Sequence, residues 1–231
     1  DTPSAGERGM RAVVVGGGES PGNELLDWLL DEGSVLLVAA DGGADSLRAL
    51  GRAPQRVIGD FDSITEETLA WCRKQSGCQV RHMPRQSDTD TEKCLDLLVR
   101  EGVREIAFCG VFGDRLDHSL SNLALVLRWS DRVRLAVFSG ESVLEVFRGE
   151  CAFPSTKNAL VSIYAFDPLV RITTRGLKYP LHGEPLVFGV RESTSNAASA
   201  RSVRIQADGG PAFVVRQKSE VFLHGLLGSD T

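Results

Sequence analysis

The sequence predicts an α/β domain followed by an all-β domain. The first half forms a mostly parallel sheet with helices on both faces, and the second an antiparallel β-sandwich. Three observations carry this reading. Strand-like and helix-like segments alternate to about residue 140. Helical spacing of apolar residues then stops. Short β-rich runs separated by turn-forming residues take over. The expected domains are residues 10–140 and 141–231.

Arg11 to Val15 is a short apolar run that ends in Gly16-Gly17-Gly18 and predicts the first strand. Leu25, Leu26, Leu29 and Leu30 fall at helical spacing within Asn23 to Asp31. Ser34 to Ala40 predicts a second buried strand, ending in Asp41-Gly42-Gly43-Ala44, and a short helix runs on to Leu50. Arg56 to Ile58 is the third strand, Thr65 to Gln75 a helix, and Gln79 to Met83 a fourth strand closed by Pro84. Thr91 to Arg100 predicts a helix and Glu105 to Cys109 a fifth strand. Leu116 to Trp129 predicts a helix with Leu116, Leu120, Leu123 and Leu127 on one stripe, followed by a sixth strand over Val133 to Phe138. Beyond Gly140, strands are expected at Val143 to Phe147, Leu160 to Phe166, Val170 to Thr174, Leu186 to Val190, Val203 to Gln206 and Ala212 to Arg216. Asp167-Pro168, His182-Gly183 and Asp208-Gly209-Gly210-Pro211 supply turns between them.

Composition narrows the function classes. A chain of 231 residues with 42% hydrophobic and 25% charged residues is ordinary for a soluble globular protein. The net charge is 26 − 31 = −5, and its basic residues are scattered, so there is no nucleic-acid footprint. An acidic protein that handles an anionic substrate needs a metal or local Arg and Lys. The 5 cysteines are dispersed without a CxxC pair, which predicts reduced thiols in a cytoplasmic protein. No apolar run approaches the ~20 residues that span a bilayer, so no membrane association is expected. No signal-peptide pattern opens the chain, residues 1–9 read as a flexible lead, and Asp1 in place of methionine leaves a processed or trimmed start open.

The motifs that carry chemistry follow strand ends, where parallel sheets bind ligands. Val57-Ile58-Gly59-Asp60-Phe61-Asp62-Ser63 offers two carboxylates two residues apart, which share a side in locally extended chain. At ~4 Å and an effective dielectric of ~20 such charges repel by about 4 kcal/mol, so a site that keeps both ionised needs a cation. Hard oxygen ligands favour Mg²⁺ or Mn²⁺ over zinc. The plainer alternative is a polar turn with an Asp cap on the next helix. Asp41 stands before Gly42 and Gly43, with a helix cap again the alternative. Asp88 or Thr89 can cap the helix that holds Lys93, leaving Asp90 free for another task. Gly113-Asp114-Arg115-Leu116-Asp117-His118 opens another helix; Arg115 can neutralise a phosphate, and Asp117 suits a first turn. The Gly16-Gly17-Gly18 turn fits neither the dinucleotide nor the phosphate-loop pattern, yet its amides remain open to phosphate. Four strand ends each carrying aspartate point to a Mg²⁺-dependent site for a polyphosphate.

The ordered set Ala40-Asp41-Gly42-Gly43-Ala44, Gly59-Asp60-Phe61-Asp62-Ser63, Thr89-Asp90 and Gly113-x-Arg115-x-Asp117-His118-x3-Asn122 resembles the thiamin pyrophosphokinase family. Thr173 to Leu181 and Ser193-Thr194-Ser195-Asn196 extend the resemblance, which covers roughly residues 12 to 218. It implies an α/β nucleotide-binding catalytic domain, a β-sandwich that binds thiamine and dimerises, and a homodimer. It implies ATP-dependent diphosphate transfer to the thiamine hydroxyl, giving thiamine diphosphate and AMP. Carried over by position, Asp60, Asp62 and Asp90 resemble the Mg²⁺-holding carboxylates. Asp41, Gly42, Thr89, Gly113 and Arg115 resemble the ATP-binding groups, and Asp117 is a candidate general base. Ser195 and Asn196 match the stretch that meets the thiamine pyrimidine across the dimer interface, and Tyr179 stands where animal members carry Trp. The chain departs from the family at Asp114, where many members have Gly, and at Ser87, where members often have Asp. Two other readings accompany this one: a Mg²⁺-dependent nucleotide hydrolase without an organic acceptor, and a non-catalytic thiamine or nucleotide binder.

Overall fold

Val13, Val14 and Val15 on the first strand and Leu37, Val38 and Ala39 on the second are all at most 5% exposed. Consecutive strand residues point to opposite faces, so these strands are covered on both. The structure, a computed structural model, describes residues 10–31, 34–84, 88–113 and 115–227. The lead at 1–9 and the two departures, Ser87 and Asp114, lie outside the described residues. The chain divides into two compact units, Asp1–Leu135 and Ala136–Thr231.

The first unit holds β1 (Met10–Val15), β2 (Val35–Ala40), β3 (Arg56–Gly59), β4 (Gln79–His82) and β5 (Val103–Cys109). Their spatial order is β5-β1-β2-β3-β4, with every neighbouring pair parallel. The order reverses between β1 and β5, the kind of switch point where such sheets open a crevice. Helices α1 (Gly22–Leu30), α2 (Gly43–Ala49), α3 (Glu66–Lys74), α4 (Asp90–Arg100) and α5 (Leu116–Trp129) follow the strands in turn. Helix α4 packs across β1, β2, β3 and β5 and buries Cys94, Leu95, Leu98 and, unusually, Lys93. On α5 the expected stripe is not the buried face. Asn122, Leu125 and Val126 are buried, while Leu116 and Leu120 are exposed. Both sets fit a helical period, so spacing identifies the helix without choosing its inner side.

The second unit is antiparallel. It contains β7 (Ser142–Pro154), β8 (Leu160–Tyr164), β9 (Arg171–Arg175), β10 (His182–Pro185), β11 (Ser193–Ala197) and β12 (Ser202–Gln217), then helix α6 (Lys218–His224). Strand β6 (Arg134–Ser139), expected as a sixth strand of the alternating half, pairs antiparallel with β7. Along its whole length β12 pairs with β7; on its other side it pairs first with β9 and then with β8. Val161 and Ile163 from β8, Ile172 from β9, and Val203, Ile205 and Val214 from β12 share one core. These antiparallel strands bury their apolar sides in that common core, consistent with the sandwich expected from the sequence.

Three local expectations change. Asp208-Gly209-Gly210-Pro211 is a bulge inside β12, not a turn between two strands. The register with β7 slips between Ala207 and Pro211 while pairing continues on both sides. Leu186 to Val190 is not a strand; only Val187 makes an isolated bridge, to Ala165, and Gly189 turns the chain at φ 81°. Strands β10 and β11 and helix α6 were not expected. Ser193–Ala197 is polar and short, so it carries no alternating apolar signal.

Candidate active site

Asp41, at the end of β2, adopts a left-handed backbone at φ 42°. It does not cap α2, whose N-cap is Gly42 without a side-chain bond. Its carboxylate instead accepts from the Ser63 amide at 3.2 Å and the Ile64 amide at 3.1 Å, tying down the loop after β3. Asp41 is almost wholly buried. Burial, the nearby Asp90 charge and Asp62 push its pKa up to about 6, against the two backbone donors that pull it down. The glycines beside it serve packing. A Cβ on Gly43 would lie 1.9 Å from the Val15 carbonyl oxygen, so only glycine lets α2 start against β1.

Asp60 and Asp62 do share a side, but not through extended chain. Phe61 between them is left-handed at φ 67°, and its ring sits 5.2 Å from that of His82. A left-handed non-glycine residue is held there at some cost in strain, a feature that concentrates at functional sites. Neither Asp caps the next helix; Thr65 does, accepting from the Thr68 amide at 3.2 Å. Thr89 likewise caps α4 through the Glu92 amide at 3.2 Å. This leaves Asp90 in the first turn of α4 with its side chain turned toward the other carboxylates.

One oxygen each of Asp41, Asp60, Asp62 and Asp90 lies within 4.8 Å of the others, and this is the acidic group with metal-ligand spacing among the described residues. Gly59 makes the approach feasible: a Cβ there would lie 2.8 Å from the Asp41 Cβ and 3.2 Å from the Asp90 Oδ1. Gly59→Ala is expected to force these carboxylates apart and cut divalent-ion affinity and turnover by at least about tenfold, or ~1.4 kcal/mol. Calorimetric Mn²⁺ titration beside a melting curve checks it; unchanged affinity in a folded variant contradicts it.

Lys93 is the residue the sequence reading passed over. Its Nζ donates to the Asp60 Oδ2 at 2.7 Å and the Asp90 Oδ1 at 2.9 Å, and its side chain is 1% exposed. Burial disfavours its charge, but the bonds with Asp60 and Asp90 outweigh that and leave its pKa above the usual lysine value. The Lys93 bond in turn holds Asp60 below the usual carboxylate range. The other Asp60 oxygen, Oδ1, is buried without a hydrogen bond. The available signal was the spacing of Asp90 and Lys93, i and i+3 at the start of a helix.

Arg115 and Asp117 are not part of this group. They pair with each other at 3.0 and 2.6 Å on the exposed N-terminal end of α5. That bond holds Asp117 well below the usual carboxylate range. His118 is exposed, and Asn122 is buried with its amide donating to the Val111 carbonyl at 2.6 Å. Gly113 is exposed. The first glycine loop is stitched to the loop after β5: Gly16 donates to the Cys109 carbonyl at 2.8 Å and Gly18 to that of Gly110 at 2.7 Å. Those two amides are already used, so the phosphate reading of this turn loses them.

In the second unit, Asn196 is buried and braces Tyr179. Its Oδ1 accepts from the Tyr179 amide at 3.1 Å, and its Nδ2 donates to the Tyr179 carbonyl at 2.7 Å. The Tyr179 ring is exposed, with the Lys178 ammonium 5.4 Å from its centroid. Ser195 is left-handed at φ 54°, and its amide donates to the Ser162 hydroxyl at 2.9 Å.

Two family models match this chain: the thiamin pyrophosphokinase catalytic domain over residues 28–138 and the thiamin pyrophosphokinase vitamin B1 binding domain over residues 152–210. The chain belongs to the thiamin pyrophosphokinase family. The carboxylate group and Lys93 lie in the span matched by the thiamin pyrophosphokinase catalytic model, and Tyr179, Ser195 and Asn196 in that matched by the B1-binding model. A thiamine pyrophosphokinase of Bacillus subtilis is 26% identical over 188 residues, covering 80% of this chain and 87% of the relative. The crystal structure of thiamin pyrophosphokinase from Geobacillus thermodenitrificans is similar at a TM-score of 0.75 and 28% identity, covering 90% of this chain and 97% of that one. The yeast thiamin pyrophosphokinase structure shares the fold, with a TM-score of 0.79 at 15% identity over 94% of this chain and 89% of that one.

Proposed function

We propose that the chain transfers diphosphate from ATP to the hydroxyl of thiamine, releasing thiamine diphosphate and AMP. The observation that carries this reading is the group of four aspartates within the span that the catalytic family model matches. The thiamine hydroxyl oxygen bonds to the β-phosphorus. The bond from that phosphorus to the oxygen bridging it to the α-phosphorus breaks, AMP leaves with that oxygen, and the hydroxyl proton passes to a base or to water.

The donor set fits Mg²⁺, because all its members are hard oxygens and the Asp60 Oδ1 is a buried acceptor without a donor. Asp60, Asp62 and Asp90 would hold the ion, with Asp41 beside them. When bound, it would neutralise the polyphosphate. The protein's own residues then position and screen. Asp41 fixes the loop that carries Asp60 and Asp62 through Ser63 and Ile64. Arg115 offers a forked guanidinium to phosphate once it leaves Asp117. Asp117, paired as it is, is a weak base until that happens. Gly42, Thr89 and Gly113 belong to the ATP side of this reading, Thr89 by starting α4 so that Asp90 is presented.

For the acceptor, Tyr179 would give the pyrimidine an aromatic wall, held in place by Asn196, with Ser195 beside it. Asn196→Ala is expected to raise the KM for thiamine at least about tenfold while leaving that for ATP within about twofold, since the Tyr179 turn loses both its clamps. Equal effects on both substrates contradict the placement. The reading includes a homodimer, and the free cysteines support a reducing, cytoplasmic setting. The deciding experiment is AMP formation from ATP and Mg²⁺ with and without thiamine. AMP that appears only with thiamine supports diphosphate transfer; thiamine-independent release supports the hydrolase; no turnover with tight thiamine binding supports the binder.

A further inference from the structure

Lys93 stands out because it pairs with two of the carboxylates without filling their site. Four aspartates bring −4 and Lys93 brings +1, a formal −3 in a group that places one oxygen of each aspartate within 4.8 Å of the others. Lys93 engages only one oxygen of Asp60 and one of Asp90. The second Asp60 oxygen is buried without a hydrogen bond, and the exposed Asp62 accepts only from its neighbour Ser63 among the described bonds, at 2.8 Å. The lysine is therefore both a brace and a competitor. It fixes two carboxylates in orientation, and it lowers the attraction that the group exerts on a free divalent ion.

We propose that Lys93 is a positioning residue that acts as the resident counter-cation of the site. It keeps affinity for a bare divalent ion low and makes metal entry depend on the polyphosphate that accompanies it. This rests on the diphosphate-transfer reading and adds the order of binding to it. An ATP-bound ion arrives with compensating negative charge and oxygen ligands of its own, so the charge at Lys93 opposes it less. A bare ion must overcome that charge with carboxylates alone. No other lysine or arginine touches the four aspartates among the described hydrogen bonds and ion pairs, so the effect is concentrated in one residue.

The test uses the full chain and Mn²⁺, read by electron paramagnetic resonance of free ion and by melting temperature, so it does not depend on turnover. Lys93→Met is expected to bind bare Mn²⁺ at least tenfold more tightly than the unaltered protein and to gain more melting temperature from it. Lys93→Arg, which keeps the charge, is expected to retain the weak binding. If Lys93→Met folds only with the ion present, Mn²⁺-dependent folding is the same result in stronger form. Unchanged or weaker Mn²⁺ binding by a folded Lys93→Met overturns the proposal. The unaltered protein with Mn²⁺ and a non-hydrolysable ATP analogue separates the two failures. If it takes up the ion there, the site reading stands and only the role of Lys93 falls. If it takes up none, both fall.

Discussion

Asp62→Ala is expected to lower diphosphate transfer by about a thousandfold, equivalent to ~4 kcal/mol of transition-state stabilisation, with little change in melting temperature. The separation of the two effects follows from how Asp62 is held. It is exposed, and its side chain accepts from the adjacent Ser63 hydroxyl at 2.8 Å without tying any element of the fold. The loop that carries it is fixed by Asp41 through the Ser63 and Ile64 amides, and those bonds survive the change. Asp60→Ala makes a poorer test, because it also strips the buried Lys93 of a partner 2.7 Å away. The check is turnover at saturating ATP, Mg²⁺ and thiamine beside a thermal melt. A folded Asp62→Ala protein with near-normal turnover would remove Asp62 from the metal set.

The parallel half was legible because its signals are local. Each buried strand closes on an apolar run that leads into glycine or aspartate, so β1, β2, β3 and β5 stand out before any coordinates exist. The second half was legible in class but not in element count. A bulge is written in the same residues as a turn. Gly209 at φ 93° bends β12, and only the long-range pairing of Ala207 with Gly149 and Pro211 with Arg148 reveals that the strand continues. Strand β11 escaped for a different reason: Ser193–Ala197 gains its place by pairing with β8, and its own side chains are mostly polar.

The candidate site follows the same division. That Asp41, Asp60, Asp62 and Asp90 come together could be read from their places after strands, because topology brings strand ends together. How they meet could not. The left-handed turn at Phe61 has no propensity signal, and the cap functions fall to Thr65 and Thr89 although Asp residues stand nearby. Lys93 was passed over because a lysine on a helix is usually a solvated surface group. Its burial depends on α4 lying across β1, β2, β3 and β5, a property of the assembled unit.

Arg216→Ala is expected to destabilise the second unit by about 3–5 kcal/mol, because it leaves a buried carboxylate without its partner. Arg216 Nε and Nη2 donate to the Glu145 Oε2 at 3.0 and 2.5 Å, and both side chains are at most 4% exposed. The pair also fixes the end of the described chain: Arg216 Nη2 donates to the Gly225 carbonyl at 3.0 Å, and the Leu227 amide donates to the Glu145 Oε1 at 2.6 Å. The guanidinium lies 4.6 Å from the Phe153 ring centroid, so its removal costs packing as well as charge. A fall in melting temperature of more than ~10 °C is expected for a unit of this size. The double replacement Arg216→Met with Glu145→Leu separates the causes. If the cost is an abandoned charge, the double variant recovers most of the stability, because two apolar side chains can replace a buried ion pair at little cost. If the cost is loss of the bonds to Gly225 and Leu227, the double variant stays as unstable as the single one. Thermal melts of the single and double variants distinguish these. An Arg216→Ala protein that melts within a degree of the unaltered chain would show that the pair does not hold the segment after α6 to the second unit.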